Sequence, residues 1–245
     1  MQPFFIPPRP LDAPCSDRTW SRAALAVSLM AAGGISLALE LRWQLGRRLG
    51  LRPQAGTLLR LVGGALPATG WVQAERLPYI GRSHLSVLQL TGTGRALAAQ
   101  MGWEVVESDW ERVRRFHAGE AQRKHAAAVL AFASHARLRG YQASVIPGAE
   151  GGFGGSADVE IRRRTEAGPE TCLVEVEMRA RGKAAKWRQY AWCGVSLCAL
   201  TPASRAALGR EVRALGIAGR ATDLQTLARQ AQAGEPGGLW LERWG

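Results

Sequence analysis

The residues best able to do chemistry lie in the second half of the chain. They are Asp158 and Glu160 in SADVEIRRR, Glu175 and Glu177 in ETCLVEVEMRAR, and Lys183 and Lys186 just downstream. In an extended strand successive side chains alternate between faces. Asp158 and Glu160 then share one face, with Val159 and Ile161 on the other. Glu175 and Glu177 likewise oppose Cys172, Val174 and Val176. Were the two strands neighbours, Asp158 would stand beside Glu175, and two carboxylates that close need a cation to coexist. Such a pair can hold a metal ion. A purely structural reading pairs the acids with Arg162, Arg179 or Arg181 at a sheet edge. Two of the three lysines in the chain sit here, among 29 arginines. His117, His125 and His135 are spaced by eight and ten residues, which makes no metal pair on one helix face, so each is read as structural.

The elements that must position these acids follow from patterning. An alanine-rich helix is expected from about Ala118 to Leu138, stopped at Gly140. The strand ASVIP, the loop GAEGGFGG and the two acid-bearing strands come next, with a turn around Gly168-Pro169. KAAKWRQYAW reads as a helix, GVSLCAL as a strand and PASRAALGREVRALG as a basic amphipathic helix. In the first of these, Trp187 and Tyr190 either stack on nucleic acid or enter the core. The first half reads differently. Helices are expected over Ser21–Ala32, Ile35–Leu49 and Gln54–Val62, the last ended by Gly63-Gly64. Two short strands follow over Trp71–Leu77 and His84–Leu90, and Thr91 is placed to cap a further helix.

Composition sets outer limits. The 245 residues suffice for two modest domains. A formal net charge of +12 and a sequence pI of about 10.8 suit a polyanionic partner, through phosphate neutralisation and counterion release. The excess of arginine over lysine also fits a GC-rich coding sequence. Cys15, Cys172, Cys193 and Cys198 show no C-x-x-C spacing, which argues against a zinc site or disulfide framework and for a reducing, cytoplasmic setting. Ala23–Leu39 is mostly apolar but too short for a span and interrupted by Gly33-Gly34, so no membrane partner is expected.

Two resemblances organise these observations. LQLTGTGRALAAQMG resembles the wing-to-final-helix junction of winged helix-turn-helix proteins, and the likeness covers roughly residues 20–103. It implies double-stranded DNA as partner. Arg60 would then lie on the reading helix and Arg82 at the wing tip, while Arg42, Arg47 and Arg48 form a basic flank. The stretch Gly119–Arg181 resembles the PD-(D/E)xK, restriction-endonuclease-like nucleases: GE opens the helix, GY ends it, then come GGSADVEI and LVEVEMR. That likeness implies Glu120, Asp158, Glu175 and Glu177 as catalytic acids, Asp158 and Glu175 as ligands of Mg²⁺, and Lys183 and Arg188 as backbone contacts. Glu177 stands where that family has lysine, and Lys186 is placed to swing back into the lysine's role. The order of modules also resembles the replication-relaxation proteins of plasmids and conjugative elements. These carry a histidine near the start of the second domain, matched here by His117. They also carry an acid followed by a lysine and a tyrosine, matched loosely by Glu175, Lys186 and Tyr190.

The expected fold is therefore α/β (α+β overall), an N-terminal winged helix-turn-helix followed by a restriction-endonuclease-like α/β domain. The boundaries are an extended proline-rich leader over 1–17, the winged helix over 18–105, a linker over 106–116, the nuclease-like domain over 117–222 and a tail over 223–245. Three functions remain open: a non-catalytic DNA-binding accessory protein, a Mg²⁺-dependent DNA endonuclease, and a scaffold for a relaxase, replication or transposition protein. Winged helices often form homodimers, and no interface signal decides this here.

Overall fold

The computed structural model describes residues 16–81, 83–116, 119–146, 157–166, 168–179 and 182–245, apart from the side chains of Phe116, Glu120 and Ala121. The proline-rich leader up to residue 15 lies outside the described residues. The chain is mixed α/β with two sheets and divides into two units: Met1–Leu77 with His84–Glu111, and Pro78–Ser83 with Arg112–Gly245.

In the first unit Ser16 caps α1 (Asp17–Gly33), accepting the Thr19 amide hydrogen at 3.3 Å. Gly34 ends it in the left-handed region at φ 60°. α2 (Ala38–Leu49) follows, and an isolated antiparallel bridge joins Leu37 to Val87. The third helix does not stop at Gly63-Gly64. α3 (Gly56–Arg60) runs into a π-helical turn over Leu61–Ala65 that contains both glycines, and then into α4 (Leu66–Ala68). Burial of Leu58, Leu61, Val62 and Leu66 in one core with α1 and α2 draws the chain onward past the glycines. β1 (Val72–Pro78) and β2 (His84–Leu90) form a two-stranded sheet. Thr91 caps α5 (Gly92–Gln100) through the Gly94 amide hydrogen. Gly94 has a steric reason for its identity, since a Cβ there would collide with the Trp71 carbonyl oxygen.

The segment expected as a linker is built into structure. Ser108 and Glu111 hydrogen-bond each other at the start of α6 (Asp109–Phe116), Glu111 also pairs with Arg95, and Trp110 is fully buried. Glu111 thus bonds to Ser108 and Arg95 inside the first unit.

The second unit is a sheet in the order β3-β4-β5-β6-β7-β8: β3 (Gln142–Val145), β4 (Val159–Thr165), β5 (Gly168–Glu177), β6 (Val195–Ala199), β7 (Gly219–Asp223) and β8 (Glu242–Trp244). β3, β4 and β5 are antiparallel neighbours, β5, β6 and β7 are parallel, and β8 is antiparallel to β7. α7 (Glu120–Leu138) packs on β3, β4 and β5, and α9 (Pro202–Ala214) packs on β6 and β7. The short α8 (Ala184–Arg188) lies between β5 and β6 in sequence and buries Trp187 against Val195, Leu197, Leu208 and Val212. The expected tail belongs to this unit as well. Asp223 is fully buried, pairs with Arg205 at 2.5 Å and caps α10 (Leu224–Gln232), whose Leu224 and Leu227 are buried. Trp244 donates its indole hydrogen to the Ile217 carbonyl at 2.9 Å. No described helix is long and apolar enough to cross a membrane.

Candidate functional site

β4 and β5 are adjacent in the register the alternation requires. Val159 pairs with Val174, and the Asp158 amide donates to the Val174 carbonyl at 3.0 Å, so Asp158 sits one step before the strand, opposite Glu175. The parallel neighbour β6 fixes the far side, pairing Glu175 with Leu197 and Glu177 with Ala199. Asp158, Glu175 and Glu177 thereby line one open cleft of about 360 Å³, together with His125, Lys183 and Lys186.

Every carboxylate in this cleft has committed partners. Asp158 Oδ2 accepts the Val176 amide hydrogen at 2.7 Å, and Oδ1 lies 3.3 Å from His125 Nε2. Glu175 is almost wholly buried; its Oε2 is 2.6 Å from Lys186 Nζ, and its Oε1 accepts the Tyr190 hydroxyl hydrogen. Lys186 Nζ also reaches Glu177 Oε1 at 2.7 Å, and Glu177 Oε2 is 3.2 Å from Lys183 Nζ. Burial raises the Glu175 carboxyl above the ordinary carboxylate range despite the opposing pull of Lys186 and Tyr190. Burial alone would lower Lys186, but its two carboxylate partners outweigh that and hold its ammonium charged.

A lysine supplied from α8 thus stands between the two glutamates. The same contacts bear on Mg²⁺. A divalent ion at Asp158 and Glu175 would need lone pairs that Lys186, Tyr190, His125 and the Val176 amide already use. Among the described residues no group of three or more His, Cys, Asp and Glu side chains is arranged to hold a metal ion. The donors as placed do not fit a preformed Mg²⁺ site. They make a charge-paired cluster, with three acids against Lys183, Lys186 and the His125 ring.

His125 is the residue that sequence reasoning missed, having been read as structural. Its Nε2 also lies 3.1 Å from the Val176 carbonyl oxygen. One signal was available: His125, Val129, Phe132 and Ala136 recur at helical spacing, and the last three are buried, so the stripe that faces the sheet includes the histidine. His135 is structural as expected, buried and pushed down to about 3 by burial and then by Arg139. His117 lies outside the described residues, as does the side chain of Glu120, which opens α7.

Burial would lower His125, but Asp158 and the Val176 carbonyl raise it above its ordinary value. A raised folded-state pKa contributes stability in full below the unfolded value of about 6.5 and loses it as pH rises through the folded value. The His125 ring should therefore titrate above that value by NMR, and Asp158→Asn should bring it down. An unshifted titration in the wild type would remove the pairing.

The expected DNA contacts divide. Arg47, Arg48, Arg60 and Arg188 are exposed. Arg42 is half-buried, with its Nε enclosed and unpartnered among the described residues and its pKa lowered by burial, so it belongs to the packing of α2. Lys183 is half-exposed and its Nζ lies 3.2 Å from Glu177 Oε2, at the edge of the cluster. Arg82 lies outside the described residues. The exposed positions around α3 include Arg52, Gln54, Gly56, Leu59, Arg60, Gly63 and Gly64, with Thr57 half-exposed. No known protein family, curated protein or solved structure matches this chain at a significant level.

Proposed function

We propose that this chain is a double-stranded-DNA-binding accessory protein, a winged helix joined to a PD-(D/E)xK-like unit whose acidic centre is closed by its own cations. The observation that carries this reading is Lys186, which bridges Glu175 and Glu177 beside Asp158 in the place of a nuclease centre. The element order helix, three antiparallel strands, helix and parallel strand supports the nuclease-like reading. The helices, hairpin and capping Thr91 of the first unit support the winged helix. The exposed Arg52, Gln54 and Arg60 around α3 suit contact with DNA. The binding would be in the service of plasmid or mobile-element replication or mobilisation, beside a relaxase or replication protein.

A second reading is favoured by the same lysine. Asp158, Glu175 and Lys186 together meet the acid–acid–lysine requirement that Glu177 fails alone, and a DNA endonuclease would follow if Mg²⁺ displaced the ammonium. One experiment separates the two: the protein is incubated with supercoiled plasmid in Mg²⁺ or Mn²⁺ beside Asp158→Ala, and gel shifts are run over a salt series. We expect salt-sensitive binding without cleavage. Nicking that disappears in Asp158→Ala would establish the endonuclease, and weak binding indifferent to salt would favour the protein scaffold.

A further inference from the structure

The two faces of the sheet in the second unit are covered unequally. α7 packs on β3, β4 and β5 from one side, while α9 covers only β6 and β7 on the other. On the uncovered half, register and alternation align Gln142 of β3, Arg162 of β4 and Thr171 of β5 in one row. Ser144, Glu160, Arg164 and Leu173 belong to the same face by period two. All are exposed or half-exposed, and Leu173 retains 41% of its surface. The opposite positions, Ala143, Val145, Val159, Ile161, Cys172 and Val174, are buried. An open polar face of a sheet thus begins at the carboxylate cluster and runs to the β4–β5 hairpin.

We propose that this face is a platform for the phosphodiester backbone of duplex DNA, laid along β4 from the Asp158 end to Arg164. The inference rests on the DNA-binding reading and extends it to a surface outside the winged helix. Arg162 and Arg164 are two residues apart on the same side, about 7 Å at strand rise. Arg164 is six residues from Asp158, about 20 Å along the strand, a length over which several phosphates of one strand can lie. Arg162 is paired with Glu160 at 2.9 Å, whereas Arg164 has no ion-pair partner among the described residues. At the hairpin end a groove of about 660 Å³ is lined by Gln142, Arg162, Arg163, Arg164, Pro169 and Thr171. The occupant is the duplex of the DNA-binding reading, and what the face offers it is the charge of its arginines along the backbone.

Arg229 supplies an internal control. It bears the same charge and is exposed, but it stands on α10, which packs on α7 and β7 and not on this face. Full-length wild type, Arg229→Ala and Arg164→Ala are titrated against a labelled duplex of arbitrary sequence over a salt series. A lost phosphate contact should reduce the slope of log Kobs against log salt by about one. That loss is expected for Arg164→Ala, and a loss of about two for Arg162→Ala/Arg164→Ala, with the Arg229→Ala slope unchanged. Equal slopes for Arg229→Ala and Arg164→Ala, whether both reduced or both at the wild-type value, would overturn the platform while leaving DNA binding intact. Wild type without salt-dependent binding would overturn the functional reading itself, and the platform with it.

Discussion

Lys186→Met should lower the melting temperature by roughly 10 °C, the equivalent of about 3 kcal/mol in a unit of this size. The lysine keeps 30% of its side chain exposed, yet the two carboxylates it serves keep 1% and 5%. Methionine preserves the stem and removes the charge, leaving Glu175 with only the Tyr190 hydroxyl and Glu177 with only Lys183. The cost lies mostly in the stranded Glu175 carboxylate, because breaking a buried pair is more expensive than never having formed it. Adding Glu175→Gln to Lys186→Met should therefore recover a large part of the loss, and a double-mutant cycle by thermal or urea unfolding measures the coupling. If the single variant melts with the wild type, the acids are held by something other than Lys186. The charge-paired cluster would then be lost as the basis of the functional reading.

The acid pair was legible because it depends on two local rules, alternation along a strand and adjacency of consecutive antiparallel strands. Asp158 and Glu175 needed nothing further. Lys186 was visible as a suggestion, but nothing in KAAKW specifies that its ammonium returns to the strand before it. His125 was hidden by separation: it meets Val176 across 51 residues, and the spacing of histidines within α7 says nothing about what the helix faces. β7 was missed because Gly219–Asp223 reads GRATD, without the branched apolar run expected of a strand buried between neighbours. Its place is secured instead by Gly219, where a Cβ would press on the Val195 carbonyl oxygen and the Trp244 ring. The charge of the segment around Trp110 and Glu111 did not show its partners, since the hydrogen bonds of Glu111 to Ser108 and Arg95 form only in the folded unit.

Trp187→Ala should be more damaging than Lys186→Met, costing about 3–5 kcal/mol. α8 is five residues long with no side-chain cap, and a helix so short cannot hold itself. Its position is set by the Trp187 ring, fully buried against Val195, Leu197, Leu208, Val212 and Ala221. Lys186 and Tyr190 flank that anchor, so withdrawing the ring should release both from Glu175. The two effects then share one cause, and Lys186→Met on the Trp187→Ala background should add much less than it costs alone. Trp187→Phe tests the mechanism from the other side. The indole nitrogen is buried without a hydrogen-bond partner among the described residues, so phenylalanine gives up volume but no hydrogen bond. Its cost should be smaller, about 1–2 kcal/mol, with the Lys186 coupling largely retained. The sequence left open whether this tryptophan packs in the core or stacks on nucleic acid, and the two predict opposite readouts. A Trp187→Ala protein as stable as wild type but weaker on DNA would put the ring on the nucleic acid and leave α8 without its anchor. A large loss of stability shared by thermal and urea unfolding would make the ring the support on which the carboxylate–lysine cluster stands.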